Sequence, residues 1–128
     1  RIEKLPFMDW RQLPAVIAGL DINLMPLENS LFHWCKSENK WTEAALVKVP
    51  SVMSRNCEME YVVENGKDGW MCTTKEEWVN ALEALVTDEK ARKAMGEAAH
   101  QKVMEHYLTV NTGKDAMEEL LCSESYTK

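Results

Sequence analysis

The chain lacks an excess of positive charge, because its 128 residues carry 15 lysines and arginines against 21 aspartates and glutamates, a net charge of −6. Nucleic acids and anionic membranes are bound through broad basic faces, so neither kind of partner is expected. The sequence also lacks any apolar run near the roughly 20 residues of a membrane-spanning helix, and it shows no signal-peptide pattern. These absences predict a cytoplasmic protein in which any phosphate site is local.

Cysteine is scarce and irregularly spaced. The four cysteines, Cys35, Cys57, Cys72 and Cys122, include no C-x-x-C pair and have no histidine at ligand spacing beside them. This pattern argues against a zinc site, and free thiols are the expected state in a reducing compartment. The sequence therefore predicts no metal and no other cofactor.

The residues that are present alternate between short apolar runs and helical patterns. Four runs are predicted to be strands: Ile2–Phe7, Ile22–Met25, Ser51–Ser54 and Trp70–Cys72. Helices are predicted from the cap at Asp9 to Gly19, from Ser37 to Val47, from the capping box of Thr74 and Glu77 to Thr87, and from Asp88 to Tyr107. Repeated strand-helix-strand units with right-handed crossovers make a parallel sheet. The predicted class is α/β, a Rossmann-like parallel sheet with flanking helices.

The stretch from Lys36 to Ala45 places two lysines, a serine and two glutamates within a few helical turns. If Ser37 caps the helix, the free N–H groups and the side chains of Lys36 and Lys40 point at one spot, as in a phosphate site. Glu43 lies one turn beyond Lys40 and could accept hydrogen bonds from sugar hydroxyls. Phosphate at one end and hydroxyls at the other describe a nucleotide or a nucleotide-sugar.

An ordinary helix surface would explain the same residues, with Lys40 and Glu43 as an i, i+3 ion pair and Ser37 as a plain cap. The position of the stretch favours the ligand site. It follows a loop of about ten residues, Leu27–Lys36, at the expected carboxyl edge of the sheet, where open α/β sheets bind ligands.

A second acidic stretch follows the predicted strand Ser51–Ser54 and contains Glu58 and Glu60. Two close carboxylates invite an acid/base interpretation, but a solvated connector is the commoner explanation. This stretch is therefore predicted to be a loop whose backbone N–H groups could still contact a ligand.

The order of these segments resembles the later part of the C-terminal domain of a GT-B glycosyltransferase, in the group 1 family of retaining enzymes. The resemblance covers roughly residues 2 to 110. The motifs that carry it are Leu20–Pro26, Lys36–Ala44, Val49–Ser54, Val62–Gly69 and Glu77–Asp88, followed by Arg92, Gly96 and Tyr107.

The resemblance implies that this domain binds the nucleotide-sugar donor and that a preceding domain binds the acceptor. Glu43 corresponds to the glutamate that binds the ribose hydroxyls of the donor. Lys36, Ser37 and Lys40 would lie near the diphosphate or the sugar, with no metal required. The implied activity is a hexosyltransferase-type transfer from a nucleoside diphosphate sugar with retention, and no catalytic residue can be assigned.

Two departures from the family pattern limit this inference. Cys35 stands where the family has its first glutamate, eight positions before Glu43, so Glu38 or backbone groups are expected to contact the donor sugar instead. The chain also resembles the family only from the third strand of the domain onward. It is therefore expected to be part of a longer protein and inactive alone, with the acceptor domain as partner and a missing part that could associate with a membrane.

The missing strands would leave a sheet edge exposed, and exposed edges pair with other chains. Self-association through this edge is therefore expected. The predicted organisation is a partial donor-binding domain over residues 1–110, followed by a C-terminal helix and mobile tail over residues 111–128. Two alternatives remain: a non-catalytic, receiver-like α/β interaction module, and a GT-B relative such as a sugar-nucleotide epimerase.

Overall fold

The computed structural model describes residues 2–114 and 117 and contains a three-stranded parallel sheet in the order β1-β2-β3. The strands are β1 (Asn23–Met25), β2 (Ser51–Ser54) and β3 (Trp70–Cys72). In the register of the sheet, Asn23 lies opposite Ser51, and Val52 lies opposite Trp70. The predictions of strands at Ile22–Met25, Ser51–Ser54 and Trp70–Cys72 are thus confirmed, as is the parallel arrangement.

Six helices lie between residues 13 and 106, and a short 3₁₀ turn, Trp10–Gln12, precedes the first. They are α1 (Leu13–Ala18), α2 (Leu31–Trp34), α3 (Asn39–Leu46), α4 (Cys57–Val62), α5 (Lys75–Thr87) and α6 (Glu89–His106). Residues 109–114 and 117 are also helical, and the remainder of the C-terminal helix and tail predicted for 111–128 lies outside the described residues.

The core forms around the central strand β2, where Ser51, Val52 and Met53 are all buried. The α3 helix packs against it through Trp41, which is fully buried, and through two alanines of the same face, Ala44 and Ala45. Small residues beside one large ring allow the helix to approach the sheet closely while the indole fills the remaining space. This packing fixes the orientation of the helix that carries Lys40 and Glu43.

The helix caps predicted for α5 and α6 are present in the structure. The side chain of Thr74 accepts from the backbone N–H of Glu77 at 3.2 Å, and the Glu77 carboxylate accepts from the backbone N–H of Thr74 at 3.0 Å. Asp88 caps α6 through the backbone N–H groups of Lys90 and Ala91. Both predicted caps are therefore confirmed. They could be predicted from the sequence because each involves only residues within one helical turn.

The predicted strand Ile2–Phe7 is wrong, since residues 2–9 are irregular and Phe7 is fully exposed. A strand needs a neighbour to bond its backbone, and this segment has none in the described residues. Pro6 also lacks a backbone N–H to donate. On the sheet itself, β1 is an edge strand whose Leu24 is half exposed.

The Ser37 cap is also wrong. The N-cap of α3 is Glu38, no side chain caps the helix, and the first helical bond runs from the N–H of Thr42 to the carbonyl of Glu38. The segment before α3 also differs from the predicted loop, because it contains a short helix. Within Leu27–Lys36 the helix α2 forms, with the carbonyl of Ser30 accepting from two backbone N–H groups.

The connector predicted around Glu58 and Glu60 is a helix, α4, which begins directly after β2. Asn56 caps it, since its Oδ1 accepts from the backbone N–H of Met59 at 2.8 Å. Met59 and Val62 on the inner face are buried, while the two glutamates are exposed. Acidic residues in a first turn complement the helix dipole, so they signal a helix start as readily as a solvated loop.

Candidate functional site

A cavity of about 320 Å³ opens at the carboxyl edge of the sheet. It is lined by the last residues of β2 and β3, by the segment that follows β1, and by residues of α2 and α4. Its polar lining consists of Glu28, Asn29, His33, Ser54, Arg55, Asn56, Glu60 and Thr73. This is the edge at which open parallel sheets bind ligands, so we name it the carboxyl-edge cavity.

Ser54 at the end of β2 fixes the floor of this cavity. Its hydroxyl accepts from the backbone N–H of Leu27 at 2.8 Å and donates to the carbonyl of the same residue at 3.1 Å. One side chain thereby satisfies both backbone groups of the segment that leaves β1. The two strand ends are held side by side where the chain turns toward α2.

The α2 wall of the cavity is held by two local hydrogen bonds. Ser30 Oγ lies 2.8 Å from Nδ1 of His33, and the indole Nε1 of Trp34 donates to Asn29 Oδ1 at 2.8 Å. These bonds orient an imidazole and an indole toward the same opening, because both residues line the cavity. A His and a Trp at the mouth suit a polar ligand that also offers a flat face.

Arg55 is the one lysine or arginine among the residues that line the cavity. Its guanidinium forms an ion pair with Glu60 at 3.0 Å, and its backbone N–H donates to the carbonyl of Cys72. Asn56 beside it is 7% exposed, and its Nδ2 donates to no acceptor in the described part of the chain. The site thus combines a cation with a buried, unused donor.

Two titratable groups at the β3 end are shifted by their surroundings. Burial raises the pKa of the Cys72 thiol, and the charge of Glu77 raises it further, so the thiol form is favoured. The backbone N–H groups of Thr74 and Thr73 hold the pKa of the Glu77 carboxyl below its ordinary value. Both shifts are explained by burial and by the capping hydrogen bonds of α5.

The residues predicted from the Lys36–Ala45 stretch lie outside the carboxyl-edge cavity. The ammonium of Lys36 lies over the ring of Phe32, 4.3 Å from its centroid. Ser37 and Lys40 are exposed, and Glu38 is partly buried at the start of α3. The stretch follows α2 in the sequence, but none of its residues lines the cavity.

Glu43 lines a different cavity, of about 200 Å³, between α1 and α3. Its other lining residues are apolar: Trp10, Leu13, Pro14, Ile17 and Leu46. The Glu43 carboxylate has no hydrogen-bond or ion-pair partner among the described residues, so the alternative of a surface ion pair with Lys40 is not formed. We name this space the Glu43 cavity.

Sequence reasoning missed His33, Arg55 and Asn56. A usable signal existed for the last two, because any residue directly after a buried parallel strand lies at the carboxyl edge. Asn56 followed by acidic residues is also a helix start signal. For His33 no signal existed, since its place depends on the short helix α2.

Metal and membrane features are absent from the described residues. Across 2–114 and 117, no three His, Cys, Asp or Glu side chains come together as ligands for an ion. Over the same residues, no helix combines the length and apolar character needed to cross a bilayer.

Comparison with known proteins gives a family and a fold. A family model described as "Glycosyl transferase-like" matches residues 1–118. The C-terminal domain of a group 1 family glycosyl transferase, LpcC of Francisella tularensis, is similar in structure, with a TM-score of 0.61, 18% identity, and coverage of 80% of this chain and 52% of that one. No curated protein sequence matches the chain.

A second similar structure is Alr3699/HepE of Anabaena, solved in complex with UDP and glucose. Its TM-score is 0.65 at 17% identity, and the match covers 84% of this chain and 29% of that one. The chain thus spans about half of the first neighbour and under a third of the second. These likenesses confirm the predicted fold, a Rossmann-like parallel sheet corresponding to part of such a C-terminal domain.

Proposed function

The chain belongs to the glycosyl transferase-like family, and from that membership we propose that it forms part of the donor site of a glycosyltransferase. The proposed reaction moves a sugar, of hexosyl type, from a nucleoside diphosphate donor to an acceptor with retention of configuration. HepE, a structural neighbour, was solved with UDP and glucose, which is consistent with a donor of this class.

The observation that carries the proposal is the free carboxylate of Glu43. It is exposed on α3, makes no ion pair or hydrogen bond within the described residues, and borders a cavity whose other walls are apolar. A carboxylate can accept from both hydroxyls of a ribose at once, and an apolar wall suits the face of an attached base. Glu43 and the Glu43 cavity would together hold the nucleoside.

The positive charge near the start of α3 suits the rest of the donor. Lys36, Ser37 and Lys40 lie along the chain between α2, which lines the carboxyl-edge cavity, and Glu43. Negative charge builds on the phosphate oxygen as the glycosidic bond breaks, and positioned cations stabilise it. The two lysines would supply this without a metal, and Glu38 is proposed as a weaker contact to the sugar.

The described residues carry only part of such a site. The neighbours are about two and three times longer than the matched segment, and a glycosyltransferase must also bind its acceptor. We therefore expect the remaining donor contacts and the acceptor domain to come from another part of the encoded protein, and residues 1–128 alone to be inactive. A receiver-like module gains no support, because the family match over residues 1–118 is to a glycosyl transferase-like model.

The test is calorimetric titration of the complete encoded protein with UDP-, GDP-, ADP- and dTDP-linked sugars. The account predicts that one class binds and that Glu43→Ala weakens it. The matched control is Glu83→Ala, which removes another exposed glutamate, from the helix α5. Binding of none of the four, or equal affinity in Glu43→Ala and the parent protein, would contradict the proposal.

A further inference from the structure

We propose that Arg55 and Asn56 form an anion-binding corner of the carboxyl-edge cavity, which binds a phosphate group of the donor after Glu60 has released Arg55. This inference rests on the proposed function, because it takes the ligand to be a nucleoside diphosphate or its sugar ester. It adds two hydrogen-bond donors, Arg55 and Asn56, and one competing carboxylate, Glu60, and none of these belongs to the Lys36–Ala45 stretch.

The buried amide of Asn56 is the first observation. Its Oδ1 is used by the helix cap, which fixes which way the amide faces, and its Nδ2 is left without an acceptor in the described residues. Buried donors in folded proteins are nearly always paired, so one that is unpaired at a cavity wall indicates an acceptor supplied from outside the chain. A phosphate oxygen is such an acceptor.

The state of Arg55 is the second observation. Its only ion pair in the described residues is with Glu60, and the two side chains are 38% and 52% exposed. An ion pair this exposed to water contributes little stability, so a stronger acceptor can replace Glu60. The planar guanidinium matches two phosphate oxygens at once, and the backbone bond to Cys72 holds Arg55 at the end of β2.

The net negative charge of the carboxyl-edge cavity means that Arg55 and Asn56 would bind a phosphate group only in a ligand that other residues also hold. Glu28 and Glu60 also line it, so its carboxylates outnumber its single arginine. Free inorganic phosphate is therefore expected to bind weakly. A diphosphate tethered to a nucleoside that is already held elsewhere has a high effective concentration at the corner, and the phosphate contacts then add to the affinity.

The test compares the affinities of a nucleoside diphosphate and of the corresponding nucleoside for the complete encoded protein. UDP, GDP, ADP and dTDP are each titrated beside uridine, guanosine, adenosine and thymidine. Arg55→Gln removes the charge, and Asn56→Ser removes the amide but keeps a residue that caps helices about as well. Each variant is expected to lose about tenfold in affinity for the diphosphate and none for the nucleoside.

Glu60→Gln gives the opposite sign, since it frees Arg55, and a severalfold gain in diphosphate affinity is expected. Lys93→Gln and Glu89→Gln are the matched controls, because these residues form an exposed ion pair on α6.

Unchanged diphosphate affinity in Arg55→Gln and Asn56→Ser, with binding still sensitive to Glu43→Ala, would overturn the corner and leave the proposed function intact. Equal losses for nucleoside and diphosphate would show a structural role and also overturn it. Failure of every nucleotide to bind the parent protein would contradict both proposals.

Discussion

The indole Nε1 of Trp41 donates to the backbone carbonyl of Asp68 at 2.9 Å, and both residues are buried. This bond ties α3 to the turn that precedes β3, on the side of the sheet where α6 packs. The ring of Tyr107 meets the same indole edge to face, with centroids 6.0 Å apart. The helix that carries Glu43 is thus anchored by one buried side chain.

Trp41→Phe removes this hydrogen bond and leaves a gap beside the ring. The carbonyl of Asp68 loses its partner in a buried place, so we expect a loss of about 2–4 kcal/mol in the free energy of unfolding. Denaturant titration measures it. Trp10→Phe is the control, since Trp10 is 71% exposed and should change stability by less than about 0.5 kcal/mol.

The buried carboxylate of Asp68 depends on Lys102. Its Oδ2 accepts from Lys102 Nζ at 2.8 Å, and its Oδ1 accepts from the backbone N–H of Glu64 at 2.8 Å. Lys102→Met leaves that carboxylate buried without its cation. Because Lys102 is 29% exposed, we expect a loss of about 2 kcal/mol, below the range for a fully buried pair. Lys93→Met should cost little, and an equal cost for both variants would refute the special role of this pair.

The turn between α3 and β2 contains a strained residue. Lys48 has a φ of 62°, in the left-handed region that costs a residue with a Cβ more than it costs glycine. Lys48→Gly should relieve the strain and raise the free energy of unfolding by about 0.5–1 kcal/mol, although an exposed pair with Glu97 is lost. Lys40→Gly, in the first turn of α3, should instead lower it, by no more than about 1 kcal/mol. Thermal or chemical denaturation would show whether the two signs differ.

The carboxylate of Glu77 is expected to contribute to the loss of folding stability at low pH. Its pKa is lowered from 4.5 by the backbone N–H groups of Thr74 and Thr73, so the folded state favours the ionised form. The stabilisation is complete above pH 4.5 and is lost as the pH falls through the folded pKa. Melting temperatures from pH 6 to pH 3 should therefore fall less in Glu77→Gln than in the parent protein. Glu76→Gln, outside the capping box, should follow the parent protein, and identical curves for all three would contradict the assignment.

Local signals explain which parts of the fold could be predicted. The apolar run of β2 and the box formed by Thr74 and Glu77 involve only neighbouring residues, and both appear as predicted. The segment Ile2–Phe7 has strand-like composition but no partner strand in the described residues, which the sequence alone does not reveal. Helix α4 was missed because its acidic first turn was interpreted as a sign of solvent exposure.

The candidate site was predictable only in its general position. The carboxyl-edge rule placed ligand-binding residues after the strands, and the cavity lies there. Glu43 lies in a different cavity because α1 packs against α3. The sequence does not reveal this contact, since the two helices are not adjacent along the chain. The predicted roles of Lys36, Ser37, Lys40, Glu38 and Glu43 stay predictions.

The central claim is that Glu43 binds the ribose hydroxyls of the donor nucleotide. The most direct measurement is the affinity of the complete encoded protein for the nucleoside diphosphate that it prefers and for the 2′,3′-dideoxy analogue, each with and without Glu43→Ala. The account predicts that the variant loses on the order of 1–3 kcal/mol of binding free energy for the ribose compound and almost nothing for the analogue. An equal loss for both compounds, or no loss for either, would contradict it.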